Sequence, residues 1–427
     1  EMSSLASEYG FQQIENPVAL ASETKISRTG QRHTYNVFST YKITSYLQAK
    51  ANLAMYNYTE KFEHYRPTSL SSGTNAPYSD AAKAAAFARA ATKKVNDYLG
   101  EFTVNFDKEF GKQRLNGVAG YAMQRNTQDV IDVTATGFQD DYIPEITAGG
   151  ADPSYFTLNS ATGKSNWSML SFFARLNYSF NSRYFLTGSF RGDGSSLFSP
   201  DNRWGYFPSV SAGWNTSEES FYKNLLGDAS TLRLRTSWGL SGNNNLSGNY
   251  NFLQTMSEPS GSIFGTGTVN SAMYPEGFKD KNIGWEKTSQ YNFGADLGLF
   301  KGRLSLSGNF YVSYTYDLLF NQSISAVSGS TSVLTNLPDS KIRNSGFDLQ
   351  IDGRIISSKD FDLSVSANIL INKNKVLDMG GASTILTNGA ERSYKTHITM
   401  EGQPIGMFYG FKVAGMVTEA DMTKIAI

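Results

Sequence analysis

A chain of 427 residues, 40% hydrophobic and 13% aromatic, is long and apolar enough to bury a sizeable core or to wall a wide barrel, which excludes a disordered polypeptide. Lys+Arg and Asp+Glu balance at 38 each, so no net field recruits nucleic acid, and no nucleic-acid partner is expected. With no cysteine there is no thiolate metal site, thiol nucleophile or disulfide framework.

No segment approaches the roughly 20 consecutive apolar residues of a membrane-spanning helix, so a membrane form of this chain must cross with strands. A barrel strand shows lipid only at every second residue. That reconciles a mean hydropathy of -0.36 with 24 Tyr and 28 Phe. The opening Glu1-Met2-Ser3-Ser4-Leu5 lacks the charged start, apolar run and cleavage site of a secretory signal, so the chain is expected to begin inside a mature protein.

In chain order, period-two alternation predicts strands at Tyr35 to Tyr41 and Leu47 to Tyr58. Ser79-Asp80 then reads as an N-cap, and the alanine-rich run from Ala81 to Lys94 predicts a surface helix inside a long connection. Strands follow at Tyr98 to Phe106 and Leu115 to Met123, then a long polar connection from Arg125 to Asn166. Ala174-Leu176-Tyr178-Phe180 alternates with Arg175, Asn177 and Ser179, turns at Asn181-Ser182, and continues as Tyr184-Leu186-Gly188-Phe190, which is a hairpin. Leu176, Tyr178, Leu186 and Phe190 are expected on the lipid side, and Arg175, Asn177, Thr187 and Ser189 on the lumen side.

Further strands are predicted at Pro208 to Trp214 and Leu232 to Leu240, followed by a long connection from Ser241 to Asn282. A second hairpin joins Tyr291-Phe293-Ala295-Leu297-Leu299 through Lys301-Gly302 to Leu304-Leu306-Gly308-Phe310-Val312, and a third joins Phe347-Leu349-Ile351 to Phe361-Leu363-Val365-Ala367-Ile369. Their second faces carry Asp348, Gln350, Asp352 and Arg354 opposite Asp362, Ser364, Ser366 and Asn368, which need water. With a candidate at Met407 to Val413 the count is about 13 strands. Tight turns alternating with connections of dozens of residues favour an outer-membrane barrel over a soluble sandwich. Because single-chain bacterial barrels have even strand numbers, the outermost strands are expected to be completed by further segments.

Sites of chemistry are sparse. His33, His64 and His397 lie far apart and in no metal-binding spacing, and no Gly-x-Ser-x-Gly elbow occurs. Gly265-Thr266-Gly267 and Asp193-Gly194 read as turns, and Asp280-x-Asn282-x-Gly284 lacks the remaining oxygen ligands of a calcium loop. No catalytic residue, cofactor or metal is therefore assigned. Arg203-Trp204-Gly205-Tyr206-Phe207-Pro208 has two readings, an interfacial aromatic belt that anchors the barrel or a sugar- or peptide-stacking surface at its mouth. The candidate mouth or loop-stabilising residues are Arg191, Asp193, Asn202, Arg203, Trp204 and Tyr206.

From Phe172 to Asn224 the chain reads FFARLNYSFNSRYFLTGSFRGDGSSLFSPDNRWGYFPSVSAGWNTSEESFYKN. LRLRTSWGLSGN follows from Leu232, NIGWEKTSQYNFGADLGLF from Asn282, Tyr314-Thr315-Tyr316-Asp317-Leu318-Leu319, Asn344-Ser345-Gly346-Phe347 and Gly402-Gln403-Pro404-Ile405-Gly406. In these stretches, which cover most of residues 165 to 415, the chain resembles the SusC/RagA family of TonB-dependent outer-membrane transporters. The resemblance implies an all-β, transmembrane antiparallel β-barrel with short periplasmic turns and long extracellular loops, part of a barrel of about 22 strands. Residues 1–427 are then expected to be a partial barrel domain. The plug domain, the TonB-contacting segment and the final strands are expected to lie outside them, since neither Glu1 onward nor Lys424-Ile425-Ala426-Ile427 matches those parts. The implied function is import of glycans or oligopeptides across the bacterial outer membrane, with a SusD-like lipoprotein lid, the TonB complex and outer-membrane lipid as partners and no chemistry on the cargo. A siderophore importer, an outer-membrane hydrolase and a secreted β-rich adhesin are the alternatives.

Overall fold

The computed structural model of this chain describes residues 17–70, 76–148, 161–246, 248–257, 262–264, 268–270, 273–275, 277–381, 384–388, 394–412 and 415. Twelve strands form one sheet: β1 (Lys25–Lys42), β2 (Leu47–Arg66), β3 (Phe87–Phe110), β4 (Gln113–Thr136), β5 (Ala161–Phe180), β6 (Tyr184–Ser195), β7 (Trp204–Asn215), β8 (Thr231–Asn243), β9 (Glu286–Leu299), β10 (Leu304–Tyr316), β11 (Lys341–Ser357) and β12 (Asp362–Asp378). Each lies beside its neighbours in the chain. This up-and-down order lets every inner strand satisfy its backbone groups on both sides, as hydrocarbon demands. Among the described residues, β1 is hydrogen-bonded to β2 alone and β12 to β11 alone.

Connections alternate as an outer-membrane barrel requires. Segments 43–46, 111–112, 181–183, 300–303 and 358–361 are tight, and 216–230 holds a short helix, Ser220–Leu226. Between them fall 67–86, 137–160, 196–203, 244–285 and 317–340. Asn181 and Ser182 both take positive φ, 52° and 55°, the left-handed pair that a two-residue hairpin turn needs.

The chain divides into two compact units, residues 1–104 with 120–171, and residues 105–119 with 172–427. In the first, α1 (Pro17–Glu23) precedes β1, and α2 (Asp80–Ala85) is capped by Ser79, whose hydroxyl accepts from the Ala82 amide at 3.2 Å. The predicted helix over Ala81 to Lys94 thus stops after Ala85, and β3 starts at Phe87. Alanine favours a helix by under a kilocalorie per residue. Here Ala86 and Ala88 are buried with Tyr65 and Phe138, the Phe87 ring meets His64 edge-on at 4.8 Å, and Arg89 pairs with Asp132, contacts that an extended backbone alone provides.

The predicted connection from Arg125 to Asn166 also shrinks, because β4 runs on to Thr136 and β5 begins at Ala161. With 24 residues each, β3 and β4 are more than twice the roughly ten needed to cross a bilayer. Their excess carries polar side chains on both faces and so shows no lipid-driven alternation. On one face Asn96 joins Asn57 and Thr127, and on the other Asp97 receives Gln124 and Asn126.

In the second unit all three predicted hairpins form, as β5–β6, β9–β10 and β11–β12. The sheet has twelve strands instead of about 13, because Met407–Phe408 pairs with Lys395–Met400 in a separate three-stranded sheet with Thr384–Asn388. Glu1 to Leu5, Gly265 to Gly267, Val413 and Lys424 to Ile427 lie outside the described residues. Along β6, Tyr184, Leu186, Gly188 and Phe190 are exposed while Phe185, Thr187, Ser189 and Arg191 are half-buried. The polar set shares one face: Thr187 donates to Asn177 at 2.9 Å, Asn177 donates to Asn116 at 3.0 Å, and Ser189 meets Ser209 at 2.6 Å. Leu176 is exposed with Leu186, whereas Tyr178 is half-buried.

Candidate functional site

The outward face carries two aromatic rows. At one end of the strands Phe172 stacks on Trp204 at 6.1 Å and Phe190 on Tyr206 at 6.0 Å. At the other, Phe180 stacks on Tyr184 and Tyr184 on Trp214, both at 6.5 Å, and Trp214 meets Phe221 at 6.3 Å. Trp204 and Trp214 belong to one strand, β7. Their spacing of ten residues, at about 3.3 Å per residue and a tilt of about 40°, separates the rows by about 25 Å, the height of the apolar band of an outer-membrane barrel. Between them stand the exposed apolar side chains Leu186, Val210, Phe293 and Phe310.

One row is anchored in the 216–230 connection. Glu219 accepts from the Tyr184 hydroxyl at 2.5 Å, from Trp214 Nε1 at 3.3 Å and from Arg183 at 3.3 Å. These bonds, that of Tyr184 foremost, hold its carboxyl below the usual range.

The inward face is wet and charged. Arg235 on β8 donates to both oxygens of Asp296 on β9, at 2.7 and 2.9 Å, and to Asn309 on β10 at 2.8 Å. Asn309 passes the chain to Asp348 on β11 at 2.7 Å, and Ser307 donates to Asp296 at 2.7 Å. Gly294 makes room: a Cβ there would sit 2.6 Å from Asn309 Oδ1 and 2.9 Å from Arg235 Cζ. In the first unit, Arg32 lies over Tyr56 and Tyr58 at 5.7 and 5.9 Å.

The six sequence-predicted residues separate into two groups. Trp204 and Tyr206, 41% and 58% exposed, belong to the outward row. Asp193 is buried and takes both its bonds from Arg191 Nε at 2.8 Å, while Arg191 also lies over Phe173 at 5.6 Å. The Asn202 amide donates to Ser199 O at 3.1 Å, closing the turn that delivers Arg203. The Arg203 carbonyl accepts from the Ser195 amide at 3.1 Å and from Trp285 Nε1 at 3.0 Å.

Sequence reading passed over Trp285 and Asn336. Trp285 packs on Phe198 at 5.2 Å and Phe207 at 5.3 Å, tying the 244–285 connection to 196–203. Asn336 accepts from the Gly284 amide at 2.7 Å and donates to the carbonyls of Gly284 and Asp317, at 3.1 and 2.8 Å. Asp280, considered above for calcium, instead accepts from the Asn282 amide at 2.7 Å and the Thr335 hydroxyl at 2.6 Å. Among the described residues, no group of three His, Asp or Glu side chains is placed to hold a metal. In the first unit Asp141 clasps connection 67–86 through the Thr68 amide and hydroxyl, both at 2.8 Å, and the Tyr65 hydroxyl at 2.7 Å. Burial pushes its carboxyl up, but these hydrogen bonds, that of the Thr68 amide first, outweigh burial and hold it below the usual range.

The chain is similar to known proteins. The family described as TonB dependent receptor-like, beta-barrel matches residues 6–393. TonB-dependent receptor P39 of Formosa agariphila is 32% identical over 322 residues, 75% of this chain and 29% of the relative. TonB-dependent receptor P3 of the same organism is 28% identical over 94% of this chain and 39% of the relative. TonB-dependent receptor SusC of Bacteroides thetaiotaomicron is 37% identical over 53% of this chain and 22% of the relative. The chain therefore spans well under half the length of these relatives. Among solved structures, the RagAB peptide transporter superposes with a TM-score of 0.76 at 24% identity, over 91% of this chain and 41% of that one, a likeness of fold.

Proposed function

Because the chain belongs to the TonB-dependent receptor-like β-barrel family, whose members are outer-membrane proteins, we propose that the protein carrying it is an active importer of oligopeptides or glycans. In this reading residues 1–427 supply part of a barrel of about 22 strands, and a plug outside them fills the lumen. TonB pulls on that plug and a SusD-like lipoprotein closes over the cargo, which passes unchanged. Similarity to SusC and to the RagAB peptide transporter supports this reading over the siderophore alternative, two of whose solved examples match at 10 and 11% identity.

The observation that carries the proposal is a wall dry on one side and charged on the other. Aromatic rows one bilayer apart face outward, and the Arg235–Asp296–Asn309–Asp348 chain faces inward. Arg191, Asp193, Asn202 and Arg203 then hold the 196–203 loop in shape, and Trp204 and Tyr206 anchor the barrel at the extracellular interface. The test is uptake of labelled oligopeptides and oligosaccharides by cells that express the full-length protein, with and without TonB. Uptake that requires both proteins is the expected result. Accumulation of neither cargo, or equal accumulation without TonB, would overturn it.

A further inference from the structure

Two short strands line a groove of about 860 Å³ in the second unit. Leu319–Ser323 pairs with Ser332–Asn336, and Thr384–Asn388 pairs with Lys395–Met400. Among the described residues, each is an outermost strand of its own small sheet.

In an antiparallel pair, alternate residues spend their N–H and C=O on the partner, and those between aim them the other way. The Ile324 amide bonds to Thr331 O at 3.0 Å and the Leu337 amide to Leu318 O at 2.9 Å. Partner-bonded positions are therefore the even ones, and the backbone groups of Leu319, Asn321 and Ser323 point away from the partner. Glu286 takes the Leu319 amide at 3.1 Å, while Asn321 and Ser323 line the groove. Across it, the Tyr409 amide bonds to Thr396 O at 2.8 Å, so residues 397 and 399 serve 387 and 385. The main-chain groups of Thr384 and Leu386 are left on the groove side.

Proteins normally defend such edges with lysine or proline. The two segments read LFNQS and TILTN, without a charge or a proline. Open edges of this kind template pairing with another main chain.

We propose that this groove takes an extended oligopeptide as an added strand along Leu319–Ser323. A peptide main chain repeats its donors and acceptors every two residues, about 6.8 Å, which matches the row that Asn321 and Ser323 present. A glycan carries no such repeat. The groove volume lies in the range of ligand sites, and Phe320, Leu337 and Leu386 offer apolar contact while Gln322 and Thr387 offer polar contact. The inference rests on the import reading and names its cargo class.

The test incubates the detergent-purified full-length protein with a tryptic digest of casein and, separately, with maltoheptaose, and identifies retained ligand by mass spectrometry. Asn321→Pro removes the amide that faces the groove, and Asn321→Ala keeps it. Peptide retention is expected to survive Asn321→Ala and to fall about tenfold in Asn321→Pro, the loss of roughly one good hydrogen bond. A retained peptide resynthesised with alternate amides N-methylated should bind the unaltered protein about tenfold more weakly, a readout independent of folding. Equal retention by both variants together with full binding of the methylated peptide overturns the proposal, as does retention of maltoheptaose and no peptide. Either result leaves TonB-dependent uptake in cells standing, so the import reading fails only by its own test.

Discussion

Val210 and Ser211, adjacent on β7, face opposite media. Val210 is 45% exposed between the two aromatic rows, whereas Ser211 pairs with Thr187, whose hydroxyl bonds to Asn177 on the wet face. Val210 lies near the midpoint between Trp204 and Trp214, and Leu186, opposite Ala212, lies closer to one row.

Arginine substitutions should follow that depth. Val210→Arg is expected to cost about 2–4 kcal/mol, Leu186→Arg less, and Thr187→Arg little, because lipid excludes a charge most strongly at mid-bilayer. Folded yield after refolding into lipid vesicles, read by heat-modifiable gel mobility, checks the order. Equal defects in all three would count against a lipid and a lumen side.

The charged ladder should behave in the opposite way. The Arg235 and Asp296 side chains are each 38% exposed, so water screens their pairing in spite of its bidentate geometry. Arg235→Ala should change stability by under about 1 kcal/mol. Chemical denaturation in detergent measures it, and a loss of several kcal/mol would show the ladder to be dry.

Gly242→Ala tests the loop clasp. A Cβ at Gly242 would stand 2.2 Å from Phe207 Cζ and 2.9 Å from Trp285 Cε3, so the aromatic cluster must shift. A cost of about 1–3 kcal/mol is expected. Faster proteolysis within 196–203 would report it, and unchanged protection would mean that the cluster yields freely.

The Asp141 clasp should open in acid. Its carboxyl titrates lower in the folded protein than in the unfolded chain, so its contribution is fully present above about pH 4 and is lost as pH falls through the depressed value. Hydrogen exchange of residues 67–70 and 76–86 should rise over that acid window, and Asp141→Asn should raise it at neutral pH. Exchange that ignores both changes would deny Asp141 this role.

What was legible in the sequence tracks where lipid imposes a rule. Between the girdles lipid favours an apolar residue at every second position of β6, β9 and β10, and the strands and turns there coincide with the alternation in the sequence. Beyond the bilayer the rule lapses, so Arg125 to Thr136 of β4 and Ala161 to Asn166 of β5 read as connection, and Phe87 to Lys94 of β3 read as a continuation of the alanine-rich helix. Trp204 and Tyr206 could be singled out as aromatic, but only the β6–β7 register places them outward. Trp285 and Asn336 act on backbone groups of connections that only folding brings close, Arg203 on one side and Asp317 on the other.

The two-sided wall can be measured directly, and residues 1–427 contribute no native cysteine to compete with single labels. A bimane probe on Val210→Cys or Ser211→Cys, in protein reconstituted with brominated lipid and then with aqueous iodide, reports the medium at each position. Strong bromine quenching and weak iodide quenching at position 210, reversed at 211, is the predicted result. The same quenching pattern at both positions would contradict a transmembrane barrel wall.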